Sequence, residues 1–269
     1  MTKKLWEASL YQKKNSILFS FENYISKKLN KKFNNNYQKI LDWSIKNSPE
    51  FWSSFWDFTK IKGTKSTKKI KKSKTFYKNL FLPNSKLNFA ENLLSKNNNE
   101  KAATFISEND FREERSWAKL NENTRNLAQF FKNKKIKQKD RIAAYMPNII
   151  ETVEAFIATT SVGAIWSSCS PDFGVRGVIE RFSQINPKLL FITDQYFYNG
   201  KQINILDRLP EILKAIPSIK YVVITKYPGK KLIKTKKKLK KVKIFKWTEL
   251  MKINSNKINY FNFDFEQEL

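Results

Sequence analysis

A chain of 269 residues in which 41% of side chains are hydrophobic and 14% aromatic has the material for a sizeable core, which excludes a disordered chain. Its apolar runs break every few residues, so no roughly 20-residue membrane span is expected, and a single cysteine rules out an internal disulfide and suits a reducing cytoplasm. The net charge of +28 invites a nucleic-acid reading, but only seven of the 52 basic residues are Arg, the side chain favoured for bidentate base and phosphate recognition; a lysine-rich solvated surface is expected, without a specific nucleic-acid partner.

The N-terminal segment carries charges but no apolar core of a secretory signal. The first periodic pattern, "SFENYISKKLNKKF", places Phe21, Tyr24, Ile25 and Leu29 on one helical face. In the next, Tyr37, Ile40, Leu41 and Ser44 share a face. "SPEFW" reads as a helix start, with Ser48 as N-cap, Pro49 at the first helical position and Glu50 in the first turn. Trp43, Trp52 and Trp56 are expected to pack this helical cap onto a larger body. Two lysine-dense stretches, 60–74 and 226–246, are expected to be exposed loops or connectors, because like charges at that density repel; the second could also be the exposed face of a strand or helix.

Beyond residue 100 the period changes. "KAATFISE" reads as a short strand, and "REERSWAKLNENTRNLAQFFKNKKI" begins as a strand and becomes a helix with Leu120, Thr124, Leu127, Ala128 and Phe131 on one side. "KDRIAAYMP" is a strand ended by Pro147, and "NIIETVEAFIATTSVG" a helix with Asn148 as N-cap and Gly163 as its stop. Then come the strand "AIWSSC", a helix stopped before Pro187, the strand "KLLFITD", the broken helix "ILDRLPEILKAIP" and the strand "KYVVIT". Strands alternating with helices of this length predict an α/β fold: βαβ units with a mainly parallel sheet, preceded by a helical cap.

In such a sheet ligands bind beyond the carboxyl ends of the strands. "SSCSPDFG" stands at that place, so Ser167, Ser168, Ser170 and Asp172 are expected at the rim, with Pro171 blocking the ladder and Gly174 opening a helix whose N–H groups could face an anion. The alternative is a plain βα loop with an aspartate N-cap. With no histidine, Ser-His and Cys-His catalysis and His-based metal sites are excluded. Cys169 reads as a small core residue. Neither a G-x-x-x-x-G-K-[ST] loop nor a G-x-G-x-x-G fingerprint occurs, and no acid/base carboxylate pair stands out. No catalytic residue is assigned.

The segments "WSIKNSPEFW", "LFLPNSKLNFAENLL", "KDRIAAYMPNIIETVEAFIATTSVGAIWSSCSPDFG" and "RFSQINPKLLFITD" together resemble the N-terminal part of the acetoacetyl-CoA synthetases, within the adenylate-forming superfamily. The likeness runs from about residue 36 to about residue 225, and "WSSCSPDFG" and "LNFAENLL" set it apart from the related acetyl-CoA synthetases. It implies a helical cap region over residues 1–95, with the lysine-rich loop 60–74, and a partial AMP-binding domain over 96–269. It also implies ligation of acetoacetate to coenzyme A through an acyl-adenylate, with ATP, coenzyme A and Mg2+ as cofactors. Members grip ATP with a Ser/Thr/Gly-rich loop ending in lysine; this sequence has none, and the resemblance implies an N-terminal fragment inactive alone. Of the family's functional positions, Tyr198, Asn199, Gly200 and Lys201 match a segment that contacts coenzyme A in acetyl-CoA synthetases. Ser170, Pro171 and Asp172 take the place of a loop near the pantetheine channel. Asn88 and Asn92 of "LNFAENLL" are expected to satisfy buried backbone groups. Alternatives are a fragment of another short-chain synthetase, acetyl or propionyl, or a non-catalytic module that binds coenzyme A or a partner. Oligomeric state is left open.

Overall fold

The computed structural model describes residues 5–68, 70–71, 73–108, 110–233 and 242–269. These residues form two compact units, residues 1–87 with 264–266 and residues 88–263 with 267–269.

The smaller unit is helical. Helices Leu10–Lys14, Ile17–Leu29 and Tyr37–Lys46 start at Ser9, Ser16 and Asn36, whose side chains accept first-turn N–H groups. Helix Ser48–Phe58 begins one residue earlier than the sequence suggests: Asn47 is its N-cap and Ser48 its first residue. Asn47 makes no cap bond there because its amide donates to Trp43 O, closing the preceding helix. Phe21, Ile25, Phe33, Ile40 and Trp43 form the unit's core, with Phe51 and Phe58 against it; the ring of Phe21 meets Phe58 edge-on at 5.1 Å. Tyr37, expected on the apolar face, is exposed. Trp43 belongs to the unit's own core, Trp56 is buried and Trp52 half-exposed.

The first lysine-rich stretch is not a plain loop. Gly63–Thr64 pairs antiparallel with Lys86–Leu87, and Ile70–Lys71 with Leu80–Phe81. Lys65 Nζ donates to Asp57 at 2.7 Å and to Ser53 O at 2.9 Å. Lys69 and Lys72 lie outside the described residues.

In the larger unit, α1 (Trp117–Asn133), β1 (Arg141–Tyr145), α2 (Ile150–Ser161), β2 (Ile165–Cys169), α3 (Val175–Ser183), β3 (Leu189–Thr193), α4 (Leu209–Ala215), β4 (Tyr221–Thr225) and β5 (Lys243–Lys246) build an α/β layer structure. The five strands are all parallel, in the order β5-β4-β3-β1-β2. β3 is buried at every position, as a strand covered on both faces should be. Right-handed crossovers send α2 to one face and α3 and α4 to the other, which agrees with the packing of α1 on α2 and of α3 on α4. The predicted strand "KAATFISE" stands apart from this sheet: Lys101–Ile106 pairs antiparallel with Arg112–Ser116.

Helix boundaries follow local chemistry. Ser116 caps α1, accepting from Lys119 N at 3.2 Å, and all five predicted core positions of α1 are buried. Asn148 is not the cap of α2. That place falls to Ile149, while Thr152 Oγ1 donates back to Pro147 O at 2.7 Å and Thr152 N to Ile149 O. Gly163 stops α2 as expected, with φ of +70°; the Phe263 ring lies where a β-carbon would stand, 2.5 Å away. Fully buried Asn88 accepts from Glu91 N and donates to Ser161 O and Phe261 O, both at 3.0 Å, and Asn92 donates to Asn88 O.

Candidate functional site

The strand order reverses between β1 and β3, the arrangement in which a crevice opens beyond the carboxyl ends of the strands. Four connections meet that end: Met146–Ile149 after β1, Ser170–Gly174 after β2, Asp194 and the hairpin beyond it after β3, and the lysine-rich connector after β4.

The loop after β2 differs in detail from expectation. Ser167 and Ser168 belong to β2 itself and do not reach the rim. Among the described residues β2 is an edge strand paired only with β1, which leaves Ser168 exposed and Ser167 partly so. Ser170 and Asp172 are exposed at the rim and Pro171 is buried beneath them. Ser170 Oγ donates to Asp172 Oδ2 at 2.8 Å. Gly174 is the N-cap of α3 and no side chain caps that helix, so Asp172 is not an N-cap.

Two residues that sequence reasoning passed over hold this loop. The fully buried Tyr145, last residue of β1, donates its hydroxyl to Phe173 O at 2.6 Å and lies 3.1 Å from Pro171 O. Arg208, in the short turn before α4, places Nη1 3.1 Å from each of the same carbonyls and donates also to the Tyr145 hydroxyl. The phenol of Tyr145 is pushed up by burial, with the Arg208 hydrogen bond acting the other way. Tyr196 is likewise raised, first by burial and then by the charge and hydrogen bond of Asp172.

Tyr198, Asn199, Gly200 and Lys201 form the tip of a hairpin, Gln195–Tyr198 paired with Lys201–Asn204. Asn199 and Gly200 carry φ of +49° and +71°, the conformation that makes Asn-Gly the favoured two-residue turn. All four are exposed. Gly200 N donates to Glu108 Oε2 at 3.1 Å. Tyr196, on the first hairpin strand, feels the charge of Asp172.

At the base of the hairpin, buried Asp194 organises the connector after β4. Oδ1 accepts from Tyr227 N, and Oδ2 from Ile233 N and Gln195 Nε2, at 2.8, 2.8 and 3.0 Å. These three N–H groups satisfy a carboxylate that would otherwise be costly to bury. Tyr227 is buried, so the connector is anchored at its start and is not the fully solvated loop that its lysines suggest. Lys230 stands 4.7 Å over the Phe197 ring. Residues 234–241 lie outside the described residues.

The rim offers hydroxyls, one carboxylate, lysines and backbone amides. Cys169 is buried, and burial pushes its thiol up, away from the nucleophilic thiolate. Among the described residues no group of three or more His, Cys, Asp or Glu side chains could hold a metal ion. No helix of the described residues is long and apolar enough to cross a membrane.

Residues 92–259 match the family described as AMP-binding enzyme. Over 219 residues the chain is 37% identical to acetoacetyl-CoA synthetase of Xenopus tropicalis, covering 80% of this chain and 32% of that one. It is 38% identical to acetoacetyl-coenzyme A synthetase of Rhizobium meliloti over 193 residues, covering 72% and 29%, and 33% identical to malonamoyl-CoA synthetase of Penicillium aethiopicum over 208 residues, covering 73% and 29%. The chain thus spans about a third of the length of the relatives it matches. The solved acetoacetyl-CoA synthetase from Streptomyces lividans shares its fold, with a TM-score of 0.88 at 24% identity over 99% of this chain and 40% of the other. With more than half of its residues matched in sequence, the chain belongs to the AMP-binding enzyme family.

Proposed function

We propose that this chain is the scaffold portion of an AMP-forming acid–thiol ligase that joins acetoacetate to coenzyme A. In that reaction the acetoacetate carboxylate attacks the α-phosphate of ATP, releasing pyrophosphate; the thiol of coenzyme A then attacks the acyl carbon and AMP leaves. The observation that carries the reading is the 37–38% identity with acetoacetyl-CoA synthetases, over a parallel sheet whose strand order reverses between β1 and β3. Under this reading Tyr198, Asn199, Gly200 and Lys201 meet coenzyme A, Lys201 serving as a mobile point charge for a phosphate. The Gly200 amide joins them only after Glu108 lets go of it. Ser170, Pro171 and Asp172 form the rim of the thiol channel. The cytoplasm, with its reduced thiols, is the fitting compartment.

The described sequence holds no Ser/Thr/Gly-rich phosphate loop ending in lysine, so ATP, and the Mg2+ that accompanies it, would be gripped by other residues. Two measurements test the division. The chain should bind coenzyme A in calorimetric titration and show no acetoacetate-dependent ATP–pyrophosphate exchange. Robust exchange would refute the scaffold assignment, and absence of coenzyme A binding would refute the acceptor assignment. The malonamoyl-CoA synthetase relative supports a second reading, a ligase for another short acyl group; activity of a complete ligase with acetoacetate, acetate and propionate would separate the two.

A further inference from the structure

The loop Ser170–Gly174 is held by two residues that approach it from different parts of the chain. Tyr145 ends β1 and Arg208 precedes α4, 63 residues later. Both converge on the carbonyls of Pro171 and Phe173. Tyr145 can donate one proton, and the 2.6 Å contact assigns it to Phe173 O. Arg208 Nη1 then supplies the donors for Pro171 O and for the lone pair of the phenol. A phenol, a guanidinium and two carbonyls thereby tie together the carboxyl end of β1, the β2–α3 loop and the turn before α4, around the reversal of strand order.

Both bonded carbonyls flank Asp172. The side chain between them is held by Ser170 Oγ, which donates to it at 2.8 Å. Asp172 is exposed, so this orientation does not come from burial. The helix that follows opens at Gly174 without a side-chain cap, and its Arg181 stands 4.6 Å over the Phe173 ring. The Tyr145–Arg208 clasp supplies the hydrogen bonds that tie the loop's carbonyls to β1 and to the turn before α4.

We propose that Tyr145 and Arg208 are positioning residues for the coenzyme A channel: they set the height and orientation of Ser170, Pro171 and Asp172 and so tune affinity for the thiol substrate. This rests on the reading of the rim as the channel wall. A guanidinium suits the task because its planar head serves several acceptors from one side chain, which a lysine ammonium does with less geometric control. Tyr145→Phe removes the hydroxyl and keeps the buried ring. Arg208→Met removes the charge and donors while keeping much of the length, and Arg208→Lys keeps the charge.

Two measurements on the chain and these variants decide the matter. In hydrogen exchange, the amides of Asp172 and Phe173, which donate to Ser170 Oγ and Ser170 O, should exchange about tenfold faster in Tyr145→Phe and Arg208→Met, as expected when about one net hydrogen bond restraining a loop is lost. Amides of β1 and β3 should be unaffected, which separates release of the loop from unfolding. In calorimetric titration with coenzyme A, both variants should bind about tenfold more weakly, and Arg208→Lys should recover part of the loss. Unchanged exchange in the loop, or unchanged affinity beside a binding parent chain, would overturn the proposal and leave the ligase reading intact. A parent chain that does not bind coenzyme A would remove the channel reading and this proposal together.

Discussion

Glu154 makes the stability of this chain depend on pH in a window where few other groups titrate. Its side chain is fully buried on α2. One oxygen accepts from Asn123 Nδ2 at 2.8 Å and stands 3.0 Å from Arg115 Nε, an ion-pair distance without the alignment of a hydrogen bond. The other oxygen, also buried, has no partner among the described residues. Arg115 is shared, lying 2.8 Å from Glu113 and 3.7 Å from Glu151. Burial therefore outweighs the attraction of Arg115, and the carboxyl is pushed up from 4.5 to about 8. Between those values the folded chain keeps a proton that the unfolded chain has released. The favourable contribution is complete below pH 4.5 and is lost as pH rises through about 8, with a slope of about 1.4 kcal/mol per pH unit inside the window. From pH 6 to pH 9 the loss is roughly 3 kcal/mol. The chain has no histidine to obscure it. Urea unfolding of the chain and of Glu154→Gln at pH 6, 7, 8 and 9 measures the effect. The amide keeps an acceptor for Asn123 and cannot ionise. The variant should lie within about 1 kcal/mol of the parent at pH 6 and be more stable by roughly 2–3 kcal/mol at pH 9. Parallel curves for the two proteins across that range would refute the reasoning. Glu151 is also raised by burial and by Glu113, and the Cys169 thiol by burial, so both contribute to any slope remaining in the variant.

Gly163→Ala would force an alanine to φ of +70° and drive its β-carbon against the Phe263 ring; a loss of roughly 2–4 kcal/mol is expected, read as a lower unfolding temperature, and an unchanged one would count against the assigned turn. Asn88→Ala removes an N-cap and strips the Ser161 and Phe261 carbonyls of their donor, for an expected loss of roughly 2–4 kcal/mol in urea unfolding. Asn88→Asp should be as harmful, since its carboxylate can cap but cannot donate to those carbonyls. Cys169, buried and with its thiol raised, should react with iodoacetamide at neutral pH at least about a hundredfold more slowly in the folded chain than in urea; fast labelling of the native chain would mean that β2 opens readily.

The order of strands and helices in the larger unit was readable because each element carries its own period and its own stop, as Pro147 and Gly163 show. Local capping was less readable where neighbours compete: Asn47 closes one helix and opens the next, which displaced the start from Ser48, and α2 starts at Ile149 with no side-chain cap in place of the Asn148 expected there. The chemistry of the rim was hidden for a different reason. Asp194 was visible only as the polar end of an apolar strand, and nothing nearby in sequence announces that its partners are amides at Tyr227 and Ile233. Tyr145 reads as one more apolar residue of β1 until the fold brings Arg208 to its hydroxyl. Arg115 and Glu154 stand on a strand and a helix whose patterns each make sense without the other. Periodicity reports which face of an element is buried, but not which polar atoms the buried faces will need to satisfy. That demand is created only when distant elements meet. In this chain it is met by residues that end an element or lie in a buried face, Tyr145, Asp194, Arg208 and Glu154 among them. A parallel sheet gathers the ends of its strands on one edge, and so the polar groups least legible in sequence collect where the fold opens its crevice.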